Sequence, residues 1–270
     1  MLTIIRPLNC FIAALSVMVG VHVANGSPVS YAILLAILAG WSLCAGANTH
    51  NDICDLDIDR VNRPDRPLPA GKISVRFAAW YAGVWYVVGL LSAGLLSLSH
   101  TVVAVGMVIM TIIYNKYLKR RLLLGNLLVG GVSSLAFVIG GLLGDDVLIT
   151  VVPVGFAILF HFGREVLKDL ADVVGDREGG VDSAPMRYGE SGARWIVTFT
   201  FAVLIGTTIW PYTAGWFGVN YLMVVTVVDA ILICVLWSLW LDCGPGNAAR
   251  LSSILKADMV IGICAIVVGR

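Results

Sequence analysis

The chain has 270 residues, 59% of them hydrophobic and only 13% charged, with a formal net charge of +1 and a mean hydropathy of +0.90. Soluble domains carry roughly 25% charged residues, so a water-soluble globular protein is excluded. The near-zero net charge specifies no partner by itself, and nucleic acid is not expected as one.

Apolar stretches near 20 residues recur, each long enough to cross a hydrocarbon core about 30 Å thick. Taken in chain order they predict nine spans, near 8–24, 30–51, 74–97, 101–117, 122–142, 146–168, 193–210, 219–241 and 252–269. The expected fold class is therefore all-α, a polytopic membrane protein. The first span has no A-x-A-like exit and others follow it, so it reads as a span rather than a signal peptide. Cys10, Cys44, Cys54, Cys234, Cys243 and Cys264 form no C-x-x-C pair. They read as small hydrophobes rather than metal ligands or disulfides.

Most links are short and carry Gly, Ser, Pro or Asn, but those near 52–73 and 169–192 are polar. Sorting Lys and Arg onto the N-terminus, the even-to-odd links and the adjoining helix ends collects 17 of the 18. Only Arg270 falls on the other side. The positive-inside rule then predicts a cytoplasmic N-terminus and a cytoplasmic polar face, with the C-terminus opposite.

The second span runs into "NDICDLDIDRVNRPDRPLPAGK", residues 51–72, where four aspartates fall within eight positions. Residues four apart on a helix lie about 40° apart around its axis. Asn51, Asp55 and Asp59 therefore form one stripe with Asp52 beside it, and Asp57 points elsewhere. Stacked carboxylates repel unless cations neutralise them. The sixth span ends in "REVLKDLADVVGD", 164–176, where Asp169, Asp172 and Asp176 repeat the D-x-x-D-x-x-x-D spacing of Asp52, Asp55 and Asp59. Matched clusters after two even-numbered spans predict a coarse internal repeat with a site between its halves. Solvated helix ends are the plain alternative, and two runs of matched spacing disfavour it. An EF-hand is excluded, because counting from Asp55 places Arg60 and Arg66 where Gly and Glu are required.

Hard oxygen donors on rigid helices, leaving coordination positions free, suit Mg²⁺ bridging to phosphate. Arg60, Arg63, Arg66, Lys116, Lys119, Arg164 and Lys168 stand nearby in the chain. A polyanion gripped by Mg²⁺ and by basic side chains uses both charge sets. In a membrane enzyme this points to a lipid diphosphate.

These motifs resemble the UbiA-like superfamily of intramembrane prenyltransferases. Asn51, Asp52, Asp55 and Asp59 match its N-D-x-x-D-x-x-x-D motif, and "RVNRPDRPLPAGKIS" its following loop. Asp172 and Asp176 match the second motif, D-x-x-x-D. "RPLN", from Arg6 to Asn9, is similar to its entry motif, and "YNKYLKRRLLLGN" to its Tyr/Lys motif after span 4. The resemblance covers the full length. It implies one transmembrane prenyltransferase domain over 1–270, with nine helices around a central cavity and cap segments near 52–73 and 169–192. It also implies prenyl transfer from a prenyl diphosphate to a lipid-soluble acceptor.

In that reading Asp55, Asp59, Asp172 and Asp176 are catalytic through Mg²⁺, with Asn51, Asp52 and Asp169 completing the metal set. Arg6, Asn9, Arg63, Arg66, Lys119 and Lys168 are the diphosphate-binding candidates. Tyr114 is a candidate to stabilise an allylic cation; Trp80, Tyr81 and Trp85 share that possibility beside an ordinary packing role. Two stretches, "GNLLVGGVSSLAFVIGGL" and "LKADMVIGICAIVVG", look most like the archaeal-type digeranylgeranylglyceryl phosphate synthases. That likeness implies alkylation of the 2-hydroxyl of geranylgeranylglyceryl phosphate by geranylgeranyl diphosphate. An aromatic, quinone, chlorophyll or haem precursor is the alternative acceptor.

Asp229 falls mid-span and Asp258 early in the last span, where an acid is a functional candidate by default. Asp258 is expected to reach the polar face or pair with Lys256 or Arg250, and Asp229 to be protonated or bonded inside the bundle. Other classes fit less well. A cation transporter wants its acids at the midplane, a CDP-alcohol phosphotransferase wants an Asp-Gly pair, and an intramembrane aspartyl protease wants G-x-G-D.

Overall fold

The computed structural model describes residues 2–26, 31–119 and 121–270. Their regular structure is entirely helical. In a bilayer every backbone N–H and C=O needs an internal partner, and a helix supplies it within one segment. Among the described residues, eight segments are long and apolar enough to cross a membrane: Tyr31–Cys54, Val75–Gly94, Leu98–Leu118, Leu124–Gly141, Val147–Ala171, Ala184–Thr213, Val219–Leu241 and Pro245–Gly269. Pro7–Val23 is a shorter apolar helix. The protein is a multi-pass membrane protein.

The helices are α1 (Pro7–Val23), α2 (Tyr31–Cys54), α3 (Leu56–Asn62), α4 (Val75–Gly94), α5 (Leu98–Ile113) and α6 (Leu124–Gly141). They continue with α7 (Val151–Ala171), α8 (Val173–Glu178), α9 (Ala184–Thr208), α10 (Trp210–Thr213), α11 (Val219–Leu241) and α12 (Pro245–Gly269). Local chemistry sets several starts. Ser74 and Ser97 cap α4 and α5 by accepting from the Phe77 and His100 amides at 3.2 and 3.3 Å, each satisfying an orphan donor. Pro opens α1, α9 and α12 in the first turn, where its missing N–H costs nothing. That is why α12 starts at Pro245, well before the predicted 252. Similarly α9 starts at Ala184 rather than near 193, and it is broken at Gly189, whose φ of 69° a residue with a Cβ rarely adopts.

The chain divides into two compact units. Unit 1, residues 1–118 and 134–150, holds α1 to α5 and the second half of α6. In it α2 packs against α1 and α4, and α4 against α5. Gly20 of α1 and Gly140 of α6 let two backbones meet: a Cβ on Gly20 would collide with the Phe137 carbonyl oxygen, and one on Gly140 with that of Val17. Lipid offers no hydrophobic drive between helices, so such close small-residue contacts hold membrane bundles together.

Unit 2, residues 119–133 and 151–270, joins the first half of α6 to α7, α9, α11 and α12. Its core is Leu167, Leu170, Val197, Phe201, Leu232, Leu239, Leu251 and Leu255. Tyr221 is fully buried and donates to the Thr208 carbonyl at 2.6 Å, tying α11 to the end of α9.

Candidate active site

In unit 1 the acidic stretch is helical almost without pause. The amides of Asp55, Asp59 and Arg63 donate to the carbonyls of Asn51, Asp55 and Asp59 at 2.9, 2.7 and 2.8 Å. This i to i+4 ladder crosses the break between α2 and α3, where Asp55 sits at φ −93°, ψ 0°. The predicted stripe therefore exists. Asp52, Asp55 and Asp59 are buried, and Asn51 Nδ2 donates to Asp55 Oδ2 at 2.9 Å. Asp57 stands exposed and pairs with Arg60 at 2.8 Å.

The buried carboxylates are met by one cation from far along the chain and one from the loop that follows α3. Arg6 ion-pairs with Asp52. Arg66 reaches Asp59 at 2.5 Å and Asp52 at 3.6 Å. The loop after α3 folds Arg66 back through turns in which the Arg66 amide donates to Arg63 O at 3.1 Å and the Ala70 amide to Arg66 O at 2.9 Å. Burial works against charge on Arg6, but Asp52 outweighs it and holds the guanidinium above its ordinary pKa. Burial, together with the nearby Arg6 and Arg63 charges, pulls Arg66 below its ordinary value against the attraction of Asp59 and Asp52. Arg6 and Arg63 thus add repulsion at Arg66 to the larger effect of its burial.

Arg6 adopts a left-handed conformation, φ 53°, ψ 73°, which costs about 1–3 kcal/mol in a non-glycine residue and persists only when surroundings enforce it. Here Asn48 Nδ2 and Cys10 Sγ donate to the Ile5 carbonyl at 2.9 and 3.1 Å, while Asp52 holds the side chain. Asn9 lies half-buried in the first turn of α1, its amide donating to Arg6 O at 2.8 Å.

α5 passes into a π-helical turn at Tyr114–Leu118, where Lys116 lies over the Tyr117 ring at 5.1 Å. Such turns absorb one extra residue and recur at functional sites. On α4 the aromatics pack on one another: Phe77 stacks on Tyr81, and Tyr81 meets Trp85 edge-on.

Unit 2 carries the second acidic stretch. Asp172 sits at the break between α7 and α8 with φ −99°, ψ 10°. Its amide donates to Lys168 O at 2.9 Å, and the Asp176 amide donates to Asp172 O at 3.0 Å. Asp176 is buried and Asp172 half-buried. Asp169 accepts from Asn126 Nδ2 of α6 at 2.8 Å. Lys168 pairs with the buried Glu165 at 2.7 Å, and Glu165 also faces Arg164 at 3.5 Å, while Arg164 Nε donates to the Ser252 carbonyl at 3.2 Å. Asn48, Asn126 and Glu165 thus position site residues without appearing in either motif. Glu165 was readable as an acid three before Lys168; nothing in the sequence links Asn126 to Asp169.

Asp229 is bonded inside the bundle, accepting from Thr208 Oγ1 at 2.9 Å. Asp258 departs from expectation. It is 1% exposed, and neither carboxyl oxygen has a hydrogen-bond partner among the described residues. The pairing with Lys256 or Arg250 does not form, because α12 turns Asp258 inward. Arg250 instead approaches Ser238.

Among the described residues, no three acidic, His or Cys side chains converge closely enough to hold a metal alone. Mg²⁺ does not require that, since it typically takes one or two carboxylates and completes its shell with water and substrate phosphates. Buried Asp52, Asp55 and Asp59 in the first stretch, and Asp172 and buried Asp176 in the second, are hard oxygen donors of the kind such an ion takes.

A multi-pass, all-helical membrane protein with two acidic helix ends of one spacing is the class defined by this fold and site. The chain belongs to the UbiA prenyltransferase family, whose profile matches residues 13–257. It is 33% identical to a digeranylgeranylglyceryl phosphate synthase of Methanopyrus kandleri over 98% of this chain and 96% of that protein. A solved structure described for digeranylgeranylglyceryl phosphate synthase in membranes is 30% identical, with a TM-score of 0.78 over 98% of this chain and 95% of the other. A UbiA homolog from Archaeoglobus fulgidus bound to GPP and Mg²⁺ shares the fold, with a TM-score of 0.64 at 20% identity over 97% and 98% of the two chains.

Proposed function

We propose that the chain transfers a geranylgeranyl group from geranylgeranyl diphosphate to the 2-hydroxyl of geranylgeranylglyceryl phosphate, a step of ether-lipid synthesis. The carbon–oxygen bond to diphosphate breaks, and an ether bond forms to the glycerol oxygen. The hydroxyl proton leaves with diphosphate or to water. What carries the acceptor assignment is the likeness, over nearly the whole chain, to relatives named for that product. The single family match from residue 13 to 257 supports reading both units as one functional domain. Counting Pro7–Val23 as a span gives nine, with the N-terminus, the segments near 52–73 and 169–192 and the site all on the cytoplasmic side.

Asp55, Asp59, Asp172 and Asp176 serve as metal ligands, with Asn51, Asp52 and Asp169 orienting ligands or bound water. Mg²⁺, when bound, supplies neutralising charge on the leaving diphosphate. Arg63, Arg66, Lys119 and Lys168 bind phosphate oxygens, and Arg6 and Asn9 shape the corner they stand in. The nearness of Arg6 and Arg63 to Arg66 supports an anion there, because a phosphate would ease both the burial cost and the repulsion that hold Arg66 below its ordinary value. Tyr114 offers its ring face to the allylic cation.

The test is an acceptor screen with purified protein, Mg²⁺ and geranylgeranyl diphosphate. Diphosphate release is expected with geranylgeranylglyceryl phosphate and not with homogentisate or 4-hydroxybenzoate. Turnover of an aromatic acceptor instead would overturn the acceptor assignment.

A further inference from the structure

Within unit 2, the first half of α6, α7 and α9 enclose a groove of about 710 Å³. Leu124 and Leu127, Phe162, and Trp195, Phe199 and Val203 form its walls. Thr200, also in the lining, commits its hydroxyl proton to the Ile196 carbonyl at 2.8 Å. All these residues lie in membrane-crossing segments. The groove is therefore suited to hydrocarbon, and its lining alone does not say whose.

Its Trp195 end does. Arg194 lies with Cζ 4.1 Å from the centroid of the Trp240 ring, and Trp195 meets Trp240 edge-on at 4.9 Å and 83°. Trp240 is fixed in turn, its Nε1 donating to Thr198 Oγ1 at 3.1 Å. Arg194 Nε is buried with no hydrogen-bond partner among the described residues. Among those residues no carboxylate forms an ion pair with it. Glu190, one turn earlier, does not reach it, and Asp242 turns its carboxylate to the Gly244 amide at 2.8 Å. A half-buried guanidinium on an indole face gains some cation–π support, but its N–H groups still call for an anion. Arg194 is the last charged residue before the apolar run of α9, and Trp240 stands one residue from the end of α11; tryptophan and arginine so placed mark headgroup depth, where basic pockets between helices take anionic headgroups.

We propose that Arg194, Trp195 and Trp240 bind the phosphate of an anionic membrane lipid, one chain of which lies in the groove along Phe199 and Val203. Trp195 belongs to both features, lining the groove and meeting the Trp240 ring on which Arg194 lies, so one lipid can reach both. None of these residues takes part in the proposed reaction, so this site stands or falls separately from it.

The test is native mass spectrometry of protein incubated with equal amounts of dioleoyl phosphatidic acid and dioleoyl phosphatidylcholine. Wild type is expected to retain phosphatidic acid preferentially. Arg194→Gln is expected to lower that retention about fivefold, the effect of removing one basic residue near a membrane surface, while Arg194→Lys keeps most of it. Leu127→Trp, which fills the groove, should lower retention of both lipids. Equal retention of phosphatidic acid by wild type and Arg194→Gln overturns the proposal. So does displacement of the lipid by inorganic phosphate, which would make the site one for a soluble anion, or a dimer of the chain that Arg194→Gln dissociates. Should Arg194→Gln fail to fold, Arg194→Lys and Leu127→Trp decide the matter by the same readout.

Discussion

Asp55 and Asp172 share one backbone conformation, φ −93°, ψ 0° in the first and φ −99°, ψ 10° in the second. Each is the middle acid of a D-x-x-D-x-x-x-D run, and each stands where a long membrane helix gives way to a short one. The bridge region they occupy is sparsely populated and common among active-site residues. The repeat visible in the spacing thus extends to local geometry. It follows that Asp55→Ala and Asp172→Ala should each lower kcat by about 10²- to 10³-fold, the usual loss when one preorganised electrostatic contact is removed. Thermal melting in detergent should stay near wild type. The double variant should be little slower than the worse single if, as proposed, both act on one leaving group. A mild, additive loss would argue against a shared metal–diphosphate.

Chelation is expected to abolish turnover, and Mg²⁺ to restore it. Ca²⁺, larger and with looser, higher coordination, should restore much less. Stopped assays with EDTA followed by each ion measure this directly, and full activity in excess EDTA would remove the metal from the mechanism.

Arg66→Ala strips the countercharge from Asp59 and weakens it at Asp52, both buried. Leaving such charges uncompensated costs about 3 kcal/mol, which should appear as a lower melting temperature along with lost activity. Arg66→Lys should recover stability more than activity, since an ammonium cannot reproduce the planar two-acid contact.

Gly140→Ala places a methyl against the Val17 carbonyl. Overpacking costs typically about 1–3 kcal/mol even where side chains can yield, and here the obstacle is backbone. A melting temperature well below wild type is expected, against almost no change for Gly106→Ala, whose Cβ would meet nothing within 4 Å.

Asp258→Asn should melt no lower than wild type. A buried carboxyl with neither oxygen bonded carries a desolvation penalty, and an amide of the same shape removes the option of charge. Loss of activity without loss of stability in this variant would mark Asp258 as part of the chemistry.

Spans and acidic stripes were legible because each depends on one segment at a time. Apolar length predicts where α2, α7 or α11 must lie, and helical period alone separates Asp57 from Asp55 and Asp59. The helix starts read less well: Pro245 and Ala184 open helices in polar sequence that hydropathy treats as link. Contacts between segments remote in sequence were beyond reach. Asn126 on Asp169, Asn48 on the Ile5 carbonyl and Arg6 on Asp52 depend on packing, and a single sequence carries no trace of who faces whom. The same limit produced the misplaced partner for Asp258, since a helix of mixed Lys and Asp reads as self-paired until its buried side is known.

α6 belongs to both units, its first half to one and its second to the other. A gene broken in the link before α6 would therefore leave unit 2 together on the second fragment but strip residues 134–150 from unit 1. A break after residue 150 would leave unit 1 whole, but the fragment from 151 onward would lack Asn126, the hydrogen-bond donor to Asp169, and the α6 wall of the lipid groove. Complementation by split halves should accordingly succeed only when both fragments are made together.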